Sequence, residues 1–326
     1  MDTRASFVAM LGGLSTVIGG WWGDPVGSSE TEPLGRFEEK LAMGQQGIAF
    51  GIVRNQNLPL PDLQRHWAYF EELGFDSIWH ADHFQRPSVP DHPMLEGWTL
   101  LAHLATVTQR VRLGLLVNCN TCRYPQLVAK MAVTVDHISK GRLELGLGTG
   151  WWEPEHRAYG IPYPETKELV DRFQESTELI TGLLSHEVFT YEGKFYQVHE
   201  ALFRPGAYGA PIPVTLGAHG PRMLGLVARH ADRWNSYGTV EEIRERNARL
   251  DEACAVIGRE PKSIIRSLYG WTLKLGADPW SSTEAFRDIV GRYTEAGIQE
   301  FLIEAPHEHQ VEMTGRIARE VIPGYR

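Results

Sequence analysis

Two histidines flank a carboxylate in His80-Ala81-Asp82-His83-Phe84. A neutral imidazole accepts or donates a proton near pH 7, and a neighbouring acid can orient it. The segment therefore points to proton transfer, with His83 as the acid or base and Asp82 as its orienting partner. A metal reading fits less well, because the histidines stand at i and i+3 rather than as His-x-His and no later ligand set follows. No metal is expected here, and the competing structural reading is a packed strand end.

Three further segments carry candidate chemistry. Gly146-Leu147-Gly148-Thr149-Gly150-Trp151-Trp152 alternates glycines, which leaves backbone N–H groups open to a ligand, and its tryptophans can cover a flat ring. The bland alternative is a tight loop. Gly217-Ala218-His219-Gly220-Pro221-Arg222 opens a helix, whose free N–H groups and dipole suit a phosphate, with Arg222 able to add a charged contact. Val117-Asn118-Cys119-Asn120-Thr121-Cys122 contains C-x-x-C at redox spacing. Outside a thioredoxin-like context that pair reads as two pocket-lining thiols, and zinc would need two more ligands.

The elements that position these segments alternate strand and helix from Gly47 onward. Strands are expected at Gly47–Val53, Asp76–His80, Val111–Val117, Arg142–Leu147, Ile212–Leu216, Asp232–Ser236, Ile264–Lys274 and Gln299–Ile303. Helices are expected at Leu60–Gly74, Glu96–Thr108, Pro125–Ser139, Thr166–Leu184, Pro221–His230, Val240–Gly258, Ser282–Ala296 and His307–Val321. A hairpin of Val188–Tyr191 and Lys194–Val198 around Glu192-Gly193 interrupts the rhythm. Eight βα units predict an α/β protein of the (β/α)8 TIM-barrel class, with insertions. A doubly wound sheet would place G-x-G-x-x-G after its first strand, where this chain has Arg54-Asn55-Gln56-Asn57-Leu58-Pro59. Every chemical segment follows a strand, which is where barrels of this class build their sites.

Composition narrows the function classes. The 326 residues carry a formal charge of -9, which argues against nucleic acid and against anionic membranes as partners. Three cysteines are too few for a disulfide framework and suit a reducing cytoplasm. Residues 1–42 read as an appendage or linker, with Met43 as an alternative start, and 43–326 as one barrel domain. The apolar stretch Phe7–Trp22 is broken by four glycines and matches a signal peptide poorly.

Three blocks carry a family resemblance: SIWHADHF at Ser77–Phe84, RYPQLVAKMAVTVDHISKGRLELGLGTGWWEPEHRAYGIPYP at Arg123–Pro164, and PIPVTLGAHGPRMLGLVARHADRWN at Pro211–Asn235. They resemble the bacterial luciferase-like monooxygenase superfamily, in particular its deazaflavin (coenzyme F420)-dependent oxidoreductases. The resemblance implies a barrel with F420, or alternatively FMN, at the carboxyl ends of the strands. It implies that Asp82 and His83 lie beside the reactive ring. It implies that Val117, Asn118, Cys119 and Asn120 back that ring, where family members hold a non-proline cis peptide. Gly148, Thr149, Gly150 and Trp152 would line the ring pocket, and Gly217, Ala218, His219 and Gly220 would take the cofactor phosphate. It also implies a homodimer. The sugar-phosphate dehydrogenases of the family carry an acid directly after the Gly-x-Gly turn, where this chain has Trp151 and the nearest acids are Glu153 and Glu155. That departure points away from glucose-6-phosphate and toward a more apolar or planar substrate.

The expected reaction is hydride transfer between a deazaflavin and a small organic substrate. The alternative is an FMN-dependent monooxygenase fed by a partner reductase, and a third reading is a non-catalytic flavin- or ligand-binding member. A phosphate-binding barrel lyase or isomerase rests on the residues alone.

Overall fold

Short apolar runs become strands covered on both faces. In the computed structural model, which describes residues 47–326 apart from Ser88 and Pro90, β1 (Ala49–Val53), β2 (Ser77–His80) and β5 (Leu143–Gly148) are buried along their whole length. Parallel strands flanked by helices must be. The appendage expected over 1–42 lies outside the described residues.

The other barrel strands are β3 (Arg112–Leu115), β8 (Val214–Gly217), β9 (Arg233–Ser236), β10 (Ile265–Gly270) and β11 (Glu300–Glu304). They pair in parallel in the order β3-β2-β1-β11-β10-β9-β8-β5, and β3 pairs with β5 to close the ring. The eight-stranded barrel is as expected. A two-residue β4 (Asn118–Cys119) lies beyond β3 and continues its pairing with β5. Among the described residues the helices are α1 (Leu60–Glu72), α2 (Gly97–Val107), α3 (Pro125–Ser139), α4 (Glu153–Tyr159), α5 (Thr166–Ser185), α6 (Pro221–His230), α7 (Val240–Val256), α8 (Thr272–Leu275), α9 (Thr283–Glu295) and α10 (Val311–Glu320). The hairpin pairs β6 (Val188–Glu192) with β7 (Gln197–Leu202).

Several details differ from expectation, two with a visible cause. The third strand stops at Leu115 rather than Val117, and the Leu116–Val117 peptide that follows is cis. The hairpin's second strand starts at Gln197 rather than Lys194. The N–H groups of Lys194, Phe195 and Tyr196 donate instead to the Glu175 carboxylate, at 3.0, 2.8 and 3.3 Å. The seventh strand ends at Gly270, after which the Thr272 N–H and hydroxyl donate to Glu304 at 3.2 and 3.1 Å. A short helix, α4, stands where the sequence reading places no element.

Inside the barrel Trp79 packs with Val53 and Leu302, and its indole N–H donates to the Ser77 hydroxyl at 2.9 Å. A Cβ at Gly114 would stand 2.6 Å from the Trp79 ring, so glycine there admits the indole. Buried charges in the barrel strands are paired, as they must be. Arg233 reaches Glu144 at 2.7 Å and Glu300 at 3.7 Å.

Gly146 is the tightest position in β5, since a Cβ there would collide with the Leu115 carbonyl oxygen. Gly146→Ala is expected to lose about 3 kcal/mol to overpacking. Urea unfolding checks this against Gly206→Ala, whose Cβ would meet nothing within 4 Å and which should stay within about 0.5 kcal/mol.

Candidate active site

The loop after β2 and the short helix α4 build one wall. Glu155 is almost fully buried, and its carboxylate accepts from the backbone N–H of Phe84 at 3.0 Å and of Gln85 at 3.3 Å. His83 Nδ1 stands 3.2 and 3.3 Å from the two Glu155 oxygens. An ionised carboxylate only accepts, so Nδ1 carries the proton and Nε2 keeps its lone pair. Nε2 has no hydrogen-bond partner among the described residues. Trp151 and Trp152 set ring edges against His83 at 5.7 and 6.1 Å.

Asp82 does not orient His83, which corrects the expectation from the sequence. Its carboxylate is buried and turns the other way, accepting from the Cys119 N–H at 2.7 Å and from Arg123 Nη1 at 2.5 Å. Burial pushes its pKa up, while Arg123 and the Cys119 N–H pull it back. Arg123 also donates to Glu96 at 2.5 Å, and Glu96 caps α2 through the N–H groups of Trp98 and Thr99. One ion-pair chain therefore ties the β2 loop to the turn after β3.

That turn is the second wall. The Val117 side chain occupies the space left by Gly148 and Gly217. A Cβ on Gly148 would strike Val117 Cγ2, and one on Gly217 would stand 3.4 Å from it. A Cβ on Gly150 would meet Thr121 Oγ1 at 2.6 Å and Cys119 Sγ at 3.0 Å, and Gly150 also has a φ of +84°. The expectation that these glycines open backbone to a ligand is corrected in part, since Gly148 and Gly150 make room for the neighbouring turn. Asn118 turns inward and accepts from the Trp98 indole N–H at 2.9 Å. Asn120 is buried, with its Nδ2 unpartnered. The Thr149 hydroxyl donates to the Gly150 carbonyl at 3.1 Å.

The third wall is the start of α6. Gly220 is its N-cap, and a Cβ there would meet nothing within 4 Å. The N–H groups of His219 and Gly220 have no partner among the described residues, whereas the Ala218 N–H already reaches the Asn235 carbonyl at 3.4 Å. The His219 ring packs edge-on to Tyr237 at 4.6 Å, and Tyr237 to Trp271 at 5.7 Å. Burial, with help from Arg246, lowers the His219 pKa to about 4, so the ring is neutral at pH 7. Arg222 is not part of this wall. It is paired with Asp171 of α5 at 2.7 Å, which corrects the expected phosphate contact.

The predicted residues thus share one rim, from His83 and Trp152 through Cys119 and Val117 to Gly148, Gly217 and His219. Sequence reasoning missed Glu155, Arg123, Tyr237 and Trp271 as site residues. A signal for Glu155 existed, because Pro154 and two acids in the first turn, with Gly160 at the end, mark a short helix.

The chain matches the family model described as luciferase-like monooxygenase over residues 33–320. It is 29% identical to the F420-dependent glucose-6-phosphate dehydrogenase of Intrasporangium calvum, over 81% of this chain and 95% of that protein. It is 28% identical to the phthiodiolone/phenolphthiodiolone dimycocerosates ketoreductase of Mycobacterium bovis, over 77% and 72%. A solved F420-dependent secondary alcohol dehydrogenase in complex with an F420-acetone adduct shares the fold, with a TM-score of 0.75 at 17% identity over 86% of this chain and 99% of that one. Matched along most of its length and built on this barrel, the chain belongs to the luciferase-like monooxygenase family.

Proposed function

We propose that this protein is an F420-dependent oxidoreductase that moves a hydride between the deazaflavin and a small organic substrate. The observation that carries the reading is His83, with Nδ1 held by buried Glu155 and Nε2 unpartnered at the rim. The two relatives above, a dehydrogenase and a ketoreductase, support the reaction class.

The residues present fit a cofactor with a phosphate and a flat ring. Two unpartnered N–H groups open α6, with space above Gly220, and Asn120 Nδ2 is orphaned in the opposite turn. Gly217, Ala218, His219 and Gly220 would hold the phosphate. Val117, Asn118, Cys119 and Asn120, with Gly148, Thr149, Gly150 and Trp152, would hold the ring. When bound, the deazaflavin supplies the two-electron hydride chemistry.

The chain's own residues manage the proton and the water. His83 Nε2 takes the proton of a substrate hydroxyl as it becomes a carbonyl, and returns it in the reverse direction. Glu155 fixes the tautomer and stabilises the imidazolium that results. Trp151 and Trp152 cover His83 and favour an apolar or planar substrate; Trp151 is 63% exposed, leaving apolar surface for it. Asp82 is a positioning residue that holds the Cys119 N–H.

No helix among the described residues is long and apolar enough to cross a membrane. The same family reading makes the working unit a cytoplasmic homodimer, and an F420 reductase supplies electrons in the reducing direction. Size-exclusion chromatography with light scattering checks the dimer.

Titration with F420 and with FMN, read by fluorescence quenching and by oxygen uptake, tests the cofactor. F420 should bind at micromolar level and change redox state with a ketone or secondary alcohol. FMN binding with oxygen consumption would replace the reading with a monooxygenase.

Glu155→Gln should lower kcat about tenfold with cofactor affinity unchanged, since second partners that orient an imidazole typically act on that scale. Steady-state rates beside a cofactor titration read this out; an unchanged kcat removes Glu155 from the mechanism.

A further inference from the structure

The turn that would back the ring also carries two sulfurs that take no part in the proposed reaction. Cys122 Sγ is 2.8 Å from Cys119 Sγ, and both are free thiols. Cys119 Sγ is also 3.1 Å from the Thr121 hydroxyl and 3.9 Å from His156 Nε2. The Thr121 hydroxyl stands 2.5 Å from the same Nε2. His156 Nδ1 is 2.9 Å from the Trp152 carbonyl, which can only accept, so Nδ1 holds the proton and Nε2 is a base facing the sulfurs. A second α4 residue is thus brought against the turn, one position after Glu155.

We propose that Cys119 and Cys122 form a redox-active dithiol, with His156 as its base, that closes to a disulfide when hydrogen peroxide reaches the pocket. The Cys119 proton passes by way of Thr121 to His156 Nε2. The Cys119 thiolate attacks one peroxide oxygen, the O–O bond breaks, and the departing hydroxide takes the proton back from His156 as water. Cys119 is now a sulfenic acid. Cys122 attacks its sulfur, the S–O bond breaks, and the hydroxyl leaves with the Cys122 proton as a second water. Two electrons have moved from the two thiols to one peroxide.

Electrostatics support the order of events. The Cys122 S–H beside it pulls the Cys119 pKa down to about 6, while Cys122 itself is pushed up. Cys119 is therefore the attacking thiolate and Cys122 the resolving thiol. The same three residues could be read as metal ligands, since their ligand atoms lie within 4.8 Å of one another. The sulfur separation argues otherwise. Two thiolates on one tetrahedral zinc at ~2.3 Å each stand about 3.8 Å apart, and among the described residues the cluster offers three ligands rather than four.

The test counts thiols in the whole protein and does not depend on cofactor turnover. The reduced chain has three cysteines, Cys119, Cys122 and Cys254, the last fully buried. After peroxide, quenching and denaturation, maleimide labelling should fall from three sites to one. Peptide mass spectrometry should show a Cys119–Cys122 link that dithiothreitol reverses. Cys122→Ser should leave a sulfenic acid at Cys119 that dimedone traps, and His156→Gln should slow wild-type-like closure about tenfold. Three labelled thiols after peroxide, a link through Cys254, or one bound zinc protecting both sulfurs would each overturn the proposal.

Discussion

His83→Ala is expected to lower kcat by about 10²–10⁴ while F420 still binds. The side chain offers the rim an imidazole nitrogen with no partner among the described residues, whereas the other rim imidazole, His219, has its basicity reduced by burial, with a pKa lowered to about 4. Nε2 is left free because Nδ1 is committed to Glu155, and Glu155 is committed in turn to the N–H groups of Phe84 and Gln85. The carboxylate is therefore part of the loop's own backbone satisfaction, and the imidazole inherits its orientation from that loop. Alanine removes the proton acceptor without disturbing those backbone bonds, so the cofactor titration should be unchanged. Adding Glu155→Gln to His83→Ala should cost nothing further in kcat, because the amide oxygen can still accept from the Phe84 and Gln85 N–H groups and the part of Glu155 in turnover runs through the ring it orients. Rapid-mixing kinetics at saturating F420 give the rates. A kcat within threefold of the parent would assign His83 to packing against Trp151 and Trp152.

Much of the barrel was legible because its strands are short apolar runs and its helices carry explicit punctuation. Pro125–Ser139 and Pro221–His230 form as expected, each opening on a proline that fits the first turn. Two of the misplaced ends share a cause. The hairpin strand expected from Lys194 and the strand expected to run to Lys274 each meet a carboxylate distant in sequence, Glu175 and Glu304, which local pattern cannot see.

The site was legible as a set of segments but not as a set of partners. His83 was found because histidine beside a carboxylate is conspicuous, yet the carboxylate that holds it comes from 72 residues away. Asp82 was found for the same reason and faces Arg123 instead. The glycines of β5 were found by spacing. Spacing could not tell an opening for a ligand from an opening for Val117, because both require a missing Cβ at the same place. Glu155 and His156 were hidden by a helix of seven residues, too short for a hydrophobic period to register.

Arg123→Met should destabilise the fold by about 3–5 kcal/mol, the range for stripping one partner from a buried ion pair. Asp82 is 4% exposed, and its remaining donor would be the Cys119 N–H alone. Asp82→Asn with Arg123→Met should recover most of the loss, since an amide can still accept from that N–H and leaves no charge behind. The deficit should also depend on pH in a definite direction. Burial already raises the Asp82 pKa, and losing Arg123 removes the largest opposing influence, so in the variant it rises further. A carboxyl whose folded pKa lies above its unfolded value, about 3.9, binds its proton more tightly when folded. Its stability is fully present below the unfolded value and is lost as pH rises through the folded one. The variant's deficit should therefore be smaller near pH 4.5 than near pH 7.5, as read by urea unfolding of both proteins at each pH. Equal deficits at the two values, or a loss under 1 kcal/mol, would mean that Asp82 is not carrying a buried charge. Because Asp82 also holds the Cys119 N–H, the same substitution should loosen the Val117–Asn120 turn and weaken F420 binding. That couples the stability of the β2 loop to the wall proposed to back the ring.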